Sequence, residues 1–291
     1  MTKVRYCGRD FTSAEMDLIR SIIARPQEYP TRAAIARAVC QSLTWVRPDG
    51  QPKLMSARVA LLRMHRNGLF ELPPPRGGNG NGRLNPKLTQ ASDPGALLTG
   101  TRRDLGTLTL LRVANPKDSR LWNELIARYH YLGYTPLPGA QIRYLIRNEN
   151  HLLGAIGMGA AAWKVAPRYL FIGWTPAQRE RNLHLVINQA RFLILPWVQV
   201  KNLASSLLSL LTTQIASDWE ELYAYRPVLM ETFVEQDRFR GTCYRAANWT
   251  HVGQTQGRGK LDTHKLKNKP IKDVFLFPLN KSFRQVLTGP T

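Results

Sequence analysis

Residues 73–107, PPPRGGNGNGRLNPKLTQASDPGALLTGTRRDLGT, constrain the fold more than any other part of the chain. So dense a run of Pro, Gly and Asn keeps neither a helical nor a strand period and buries no core. Periodic apolar sequence lies on both sides of it. The chain is therefore expected to fold as two bodies, 1–76 and 108–291, joined by a flexible linker over 77–107. Its 291 residues suit two domains at roughly 100–200 residues each.

The first body reads as helical. Thr12 and Glu15 have the spacing of a capping box ahead of MDLIRSIIA, and Thr31 is placed to cap RAAIARAVCQSL. In the next segment Leu54, Ala57, Leu61 and Met64 share one side of a helix that should end at Gly68. The following LFELPPP suits a short strand. Three helices and such a wing make a winged helix-turn-helix. Lys53, Arg58, Arg63 and Arg66 then lie on the third helix as candidate DNA contacts.

The second body mixes helices and strands. SRLWNELIARYHYLG has a helical period, and IRYLI with LLGAIGMGAAA suits a hairpin across Asn148–Asn150. RYLFIGW reads as a strand. Thr175-Pro176 should open a helix over AQRERNLHLVINQA, with RFLILPWV as a buried strand after it. Asn202 is placed to cap LASSLLSLLTTQIASDW. PVLMETFV, a short helix in RFRGTCYRAANW and a last strand KDVFLFPL complete the order. This alternation predicts an α/β or α+β body with a mostly parallel centre.

Charge narrows the partners. Lys and Arg exceed Asp and Glu by 41 to 20, a net +21, which repels itself unless a polyanion is at hand. Nucleic acid is the first candidate, either double- or single-stranded, and an anionic membrane surface the second. The three cysteines, Cys7, Cys40 and Cys243, are widely spaced and form no zinc or disulfide pattern, which fits a reducing cytoplasm. The first ten residues hold no apolar signal segment, and no run is long enough to span a bilayer.

The element order resembles the acetyltransferase-like (GNAT) fold. In that family a glycine-rich turn between strand and helix cradles the pyrophosphate of coenzyme A. Here the corresponding turn is Gln199–Ala204, with Asn202 where the first glycine would stand, so coenzyme A is not the expected cofactor. More specifically, YHYLGY, FIGW, RFLILPWV, NLAS, PVLMETFV, GTCYRAANW and GQTQGRGK resemble the DruA-like family over nearly the whole chain. That family includes a component of Druantia anti-phage systems and many proteins associated with transposition and mobile elements. The resemblance implies DNA-directed work in bacteria, beside a helicase-like or other system protein. Two positions depart from its pattern: Tyr169 stands where an Asp is usual, and Ser206 where a His is usual.

Several residues are candidates for chemistry. Tyr244 is a candidate nucleophile or general acid by its place in the fold, or else a buried hydroxyl bonded to a neighbour. Glu231 lies within an apolar run and needs a partner, with Arg191, Arg143 and Arg245 available. Glu231 and Asp218 are candidate carboxylates for a Mg²⁺ ion should strands be cut, although no metal motif is present. Phe233, Phe239, Trp249 and Val252 are expected in the core. RYHYLGY places Arg128 and His130 among tyrosines, suited either to stacking bases or to packing under a sheet. Further candidate nucleic-acid contacts are Lys201, Arg245 and the basic loop with Arg258, Lys260, Lys265, Lys267 and Lys269. The expected function is a DNA-binding protein of a mobile-element or anti-phage system that holds or processes strands. The alternatives are a coenzyme A-dependent acyltransferase and a non-catalytic adaptor for a helicase-like partner.

Overall fold

A computed structural model describes residues 4–75, 86–257 and 269–289. The chain divides into two units, Met1–Gly82 and Arg83–Thr291.

The first unit begins with a hairpin that is absent from the expected elements. Strands β1 (Val4–Tyr6) and β2 (Arg9–Phe11) pair antiparallel, with Tyr6 opposite Arg9. The two loop residues, Cys7 and Gly8, both have positive φ, as the tight hairpin turn requires. Helix α1 (Ser13–Ile23) starts at the expected capping box, and Thr31 caps α2 (Arg32–Ser42) through the Ala34 N–H. Helix α3 (Leu54–Arg66) ends before Gly68, whose φ is +73°. Ile19, Ile22, Ile35, Val39, Leu61 and Met64 form the core of this unit with Phe11 and Trp45. The expected wing is not a strand. Residues 69–75 run irregularly along the helices, with Leu72 buried and Pro73 accepting a hydrogen bond from Arg32 Nε at 2.6 Å.

The predicted linker is overturned from residue 89 onward, because its polar residues dock on the second unit. Thr89 donates from both its N–H and its hydroxyl to Glu124 Oε2, at 2.9 and 2.8 Å. Strand β3 (Leu98–Thr101) follows, and Leu105 joins the core before β4 (Thr109–Arg112). Asn115 caps α4 (Pro116–Tyr129). The hairpin of β5 (Gln141–Arg147) and β6 (Leu152–Ala160) forms as expected.

RYLFIGW is a helix instead of a strand. Pro167 in the first turn and Gly173 at φ +80° bracket α5 (Ala166–Ile172), which turns Arg168 and Ile172 inward. The next helix is shorter than expected. A capping box at Thr175 opens α6 (Pro176–Asn182), and buried Asn182 donates to the Leu287 carbonyl at 3.0 Å. β-Branched Val186 and Ile187 then start a strand, β7 (Val186–Ile194). After it come β8 (Val198–Lys201), α7 (Leu203–Tyr223), β9 (Leu229–Glu235), α8 (Thr242–Ala246), β10 (Thr250–Gln254), β11 (Lys272–Pro278) and α9 (Phe283–Thr288).

The large sheet has the order β10-β11-β9-β7-β6-β5-β4. It is mixed, but not mostly parallel: among the described strands only β7 and β9 run parallel within it. A separate two-stranded parallel sheet joins β3 to β8. Among the described residues no helix is long and apolar enough to cross a membrane.

Glycines on β6 let neighbours approach. A Cβ on Gly157 would meet Trp122 Cζ2 at 2.8 Å, where Trp122 donates from Nε1 to the Ile156 carbonyl. Gly157→Ala is therefore expected to lose about 1–3 kcal/mol by overpacking. Gly159→Ala, on the same strand with nothing within 4 Å of its Cβ, should be close to neutral. Urea midpoints of the two variants check this; equal losses at both sites would contradict it.

Candidate functional site

Two basic features stand out, one in each unit. In the first unit, Arg5, Arg9, Arg20, Arg25 and Arg47 pair with Asp10, Glu15, Asp17, Glu28 and Asp49 at 2.6–3.0 Å. On α3, by contrast, Arg58, Arg63 and Arg66 are exposed and form no ion pair among the described residues. Met55 and Val59 are exposed on the same helix. Half-buried Lys53 sits at the N-terminal end of this helix. The sequence placed these four cations on one helix, and the fold keeps them there.

In the second unit, β7 and β9 pair only from Val186–Gln189 against Leu229–Thr232. Beyond that the parallel strands part. A bulge on β7 helps, since Gly157 lies opposite Arg191 and consecutive Met158 opposite Gln189, leaving Ala190 unpaired. The parting strands open a cleft of about 370 Å³, walled by residues that include His130, Tyr131, Gln189, Arg191, Tyr244 and Lys272.

The cleft is cationic and partly starved of partners. Arg191 spends one N–H on its neighbour's carbonyl, Ala190 O, at 2.8 Å, while its buried Nε has no hydrogen-bond partner. Gln189 is 4 % exposed and its Nε2 is also unpartnered. Neither Arg191 nor Lys272 forms an ion pair among the described residues; nearby Glu235 pairs instead with Arg238 at 3.0 Å. Burial lowers the pKa of Arg191, and burial together with Arg191 lowers that of Lys272, with Glu235 opposing. Burial, then Arg191 and Lys272, bring His130 down to about 4, so it is neutral at pH 7. Its Nδ1 accepts from the Leu132 N–H at 3.2 Å, which leaves the proton on Nε2.

Tyr244 sits at the base of this cleft, within the core. Its hydroxyl donates to Gln189 Oε1 at 2.8 Å, and burial raises its pKa, so it keeps its proton. Trp249 is buried beside it, Phe233 and Val252 are partly buried, but Phe239 is 48 % exposed at the mouth of the cleft. Phe239 is thus no core residue: it lies in a turn that leaves the sheet after β9 ends.

The two candidate carboxylates are not brought together. Glu231 pairs with Arg168 at 2.5 Å rather than with Arg191, Arg143 or Arg245, and the two side chains are 0 and 1 % exposed. Its other oxygen accepts the Ala162 N–H at 2.8 Å. Burial pushes this carboxyl up, and Arg168 and the Ala162 N–H act against that. Asp218, on α7, accepts from the Tyr144 hydroxyl at 2.6 Å and from Gln214 Nε2 at 2.9 Å. Tyr144 is on β5 and Glu231 on β9, three strand positions apart or roughly 14 Å. Among the described residues no group of acids, histidines and cysteines has the arrangement of a metal site.

The remaining candidates separate. Arg128 is a tether: it pairs with Asp93 at 2.6 Å and bonds the Ser92 carbonyl, as does the Tyr129 hydroxyl. Arg245 is exposed, bonds the Arg240 carbonyl and lies over Phe275. Lys201 and Lys269 are exposed. Arg258, Lys260, Lys265 and Lys267 lie outside the described residues.

The turn Gln199–Ala204 does not fit a pyrophosphate. Asn202 adopts φ +62° with its side chain in place of a glycine, and β3 occupies one edge of β8. The Ser205 and Ser206 hydroxyls both turn back to the Asn202 carbonyl. A cradle for coenzyme A phosphates needs open backbone N–H groups and small residues there.

Comparison with solved structures finds aminoglycoside acetyltransferase AAC(6')-Ib in complex with coenzyme A at a TM-score of 0.40. It is 15% identical and covers 59% of this chain and 95% of its own. A Bacillus subtilis acetyltransferase in complex with coenzyme A matches at 0.36, with 9% identity over 60% and 100%. FeeM, an N-acyl amino acid synthase from uncultured soil microbes, matches at 0.34, with 13% identity over 62% and 95%. No curated protein matches in sequence. The family described as Druantia protein DruA matches residues 65–269, some seven-tenths of the chain, which takes in the strands that open the cleft and both members of the Arg168–Glu231 pair. The chain belongs to the DruA family.

Proposed function

We propose that this protein is a DNA-binding component of a bacterial anti-phage system, acting in the cytoplasm on duplex DNA. The observation that carries this reading is the basic face of α3. Of the seven other described arginines of that unit, five pair with an acid, Arg32 bonds the Pro73 carbonyl and Arg37 is exposed on α2 without an ion pair, whereas α3 gathers three, Arg58, Arg63 and Arg66, that meet no acid among the described residues. Three unneutralised guanidinium groups along one helix suit phosphates spaced along a duplex. The net charge of +21 supports the same partner, as does membership of the DruA family.

Fluorescence anisotropy of the full chain with a labelled duplex tests the reading across about 50–200 mM salt. Affinity should fall steeply, by about 0.9 in log K per log salt for each phosphate neutralised. The triple variant R58A/R63A/R66A should flatten that slope by about 2–3. A flat titration, or a slope unchanged in the triple variant, would overturn the proposal.

A further inference from the structure

We propose that the cleft between β7 and β9 binds a nucleoside monophosphate unit, with its phosphate on Arg191 and Lys272 and its base against Tyr131 and Phe239. This goes beyond duplex binding by α3 and stands on separate observations.

The first observation is the unsatisfied polar wall. Gln189 Nε2 and Arg191 Nε are buried donors without partners, both on the β7 stretch that lines the cleft. Neither atom is committed to a protein acceptor, so the wall of the cleft keeps hydrogen-bonding capacity that the protein does not use. His130, with its proton on Nε2, adds a third donor to the same wall.

The second is the sign of the charge. Two cations, Arg191 and Lys272, come from non-adjacent strands and line the same cleft, where they add to the effect of burial in lowering the pKa of His130. The acid nearest them, Glu235, is engaged with Arg238. A fold that gathers bases in a half-buried cleft, where the one acid opposite Lys272 is already paired with Arg238, is arranged for an anion. Arg also matches phosphate geometry by presenting parallel N–H donors.

The third is the rim. Tyr131 and Phe239 are 36 and 48 % exposed, meet edge to face at 5.3 Å between ring centres, and Arg238 lies over Tyr131. Exposed rings beside half-buried cations suit a planar base at one end and a phosphate at the other. The volume of about 370 Å³ lies at the small end of ligand cleft sizes, roughly 300–1,000 Å³, and suits one nucleotide rather than a longer chain.

That chemistry has two sources, a free nucleotide or the phosphorylated end of a DNA strand. Isothermal titration calorimetry of the full protein with dAMP, deoxyadenosine, and a short single strand bearing either a 5′-phosphate or a 5′-hydroxyl separates them. Binding of dAMP identifies a free nucleotide, and binding of only the phosphate-ended strand identifies a strand terminus. Either result is expected to weaken by about tenfold to a hundredfold in Lys272→Met and Arg191→Gln, which lose a charge-assisted contact. Thermal melting checks that these variants fold; Tyr131→Leu provides a second route at the rim, with an expected loss of about tenfold. Absence of binding by both phosphate ligands, equal binding of deoxyadenosine and dAMP, or full affinity in the folded Lys272→Met protein would overturn the proposal. R58A/R63A/R66A should leave dAMP binding intact, so failure of duplex binding and failure of the cleft are told apart.

Discussion

Glu231→Ala is expected to destabilise the protein by about 3–5 kcal/mol, because it strands a buried cation. Arg168 and Glu231 are sealed from solvent, at 1 and 0 % exposure. Removing the carboxylate leaves a guanidinium buried without a counter-charge, and also leaves the Ala162 N–H without its acceptor. Arg168 cannot escape easily, because its Nη2 donates to the Ala162 carbonyl at 2.7 Å and the group lies over the Trp174 ring. The double variant Arg168→Met/Glu231→Leu removes both charges and should recover at least about 1 kcal/mol of that loss. It will not reach wild-type stability, since the Ala162 peptide still lacks its two partners. Urea unfolding followed by tryptophan fluorescence measures both. A Glu231→Ala protein within about 1 kcal/mol of wild type would show that the pair contributes little.

The same pair marks the boundary of what could be read from the sequence. A carboxylate within VLMETFV had to be paired or neutral, and that much was legible at Glu231. Its partner was not, because Arg168 lies 63 positions away on a segment read as a strand. Local signals fared better. The caps at Thr12, Thr31 and Thr175 each depend on residues three apart, and all three formed. Pro167 and Gly173 are equally local signals for a short helix, which the strand reading of RYLFIGW, drawn by the aromatic and β-branched residues between them, did not take into account. At residues 89–105, Pro94, Gly95 and Gly100 correctly indicated an absence of long elements. They were silent on docking, which depends on Glu124 and Arg128 of α4.

The cleft was the least legible feature, for a topological reason. Arg191 stood out only as a cation at the start of an apolar run, and Lys272 as the last member of a basic one. They meet because β11 inserts between β9 and β10, an arrangement with no local signature. The separation of the two candidate carboxylates, Glu231 and Asp218, has the same topological origin. Asp218 is held on α7 by Tyr144 of β5, and sheet pairing puts that strand three positions from Glu231 on β9.

Acid should expose the cost of gathering those bases. His130 has a pKa of about 4 in the folded protein against 6.5 for an ordinary histidine. Between those values the unfolded chain binds the proton and the folded chain does not, so stability is fully present above about pH 6.5 and falls as pH drops towards 4. At about pH 4.5 the loss from this one group is about 2–3 kcal/mol. The surroundings explain the direction: burial, to which the stacked Tyr131 ring contributes, comes first, and Arg191 on β7 and Lys272 on β11 then repel a third cation. His130→Asn keeps an acceptor for the Leu132 N–H but cannot take up a proton. Its urea-unfolding free energy should therefore decline less between about pH 7 and pH 4.5 than that of the wild type, by about 2–3 kcal/mol, with the carboxylates common to both proteins cancelling in the comparison. A phosphate ligand in the cleft would oppose the repulsion that keeps His130 neutral, so bound dAMP should raise its pKa and narrow the difference. Parallel stability profiles for the two proteins would mean that His130 is not held neutral by its buried neighbours.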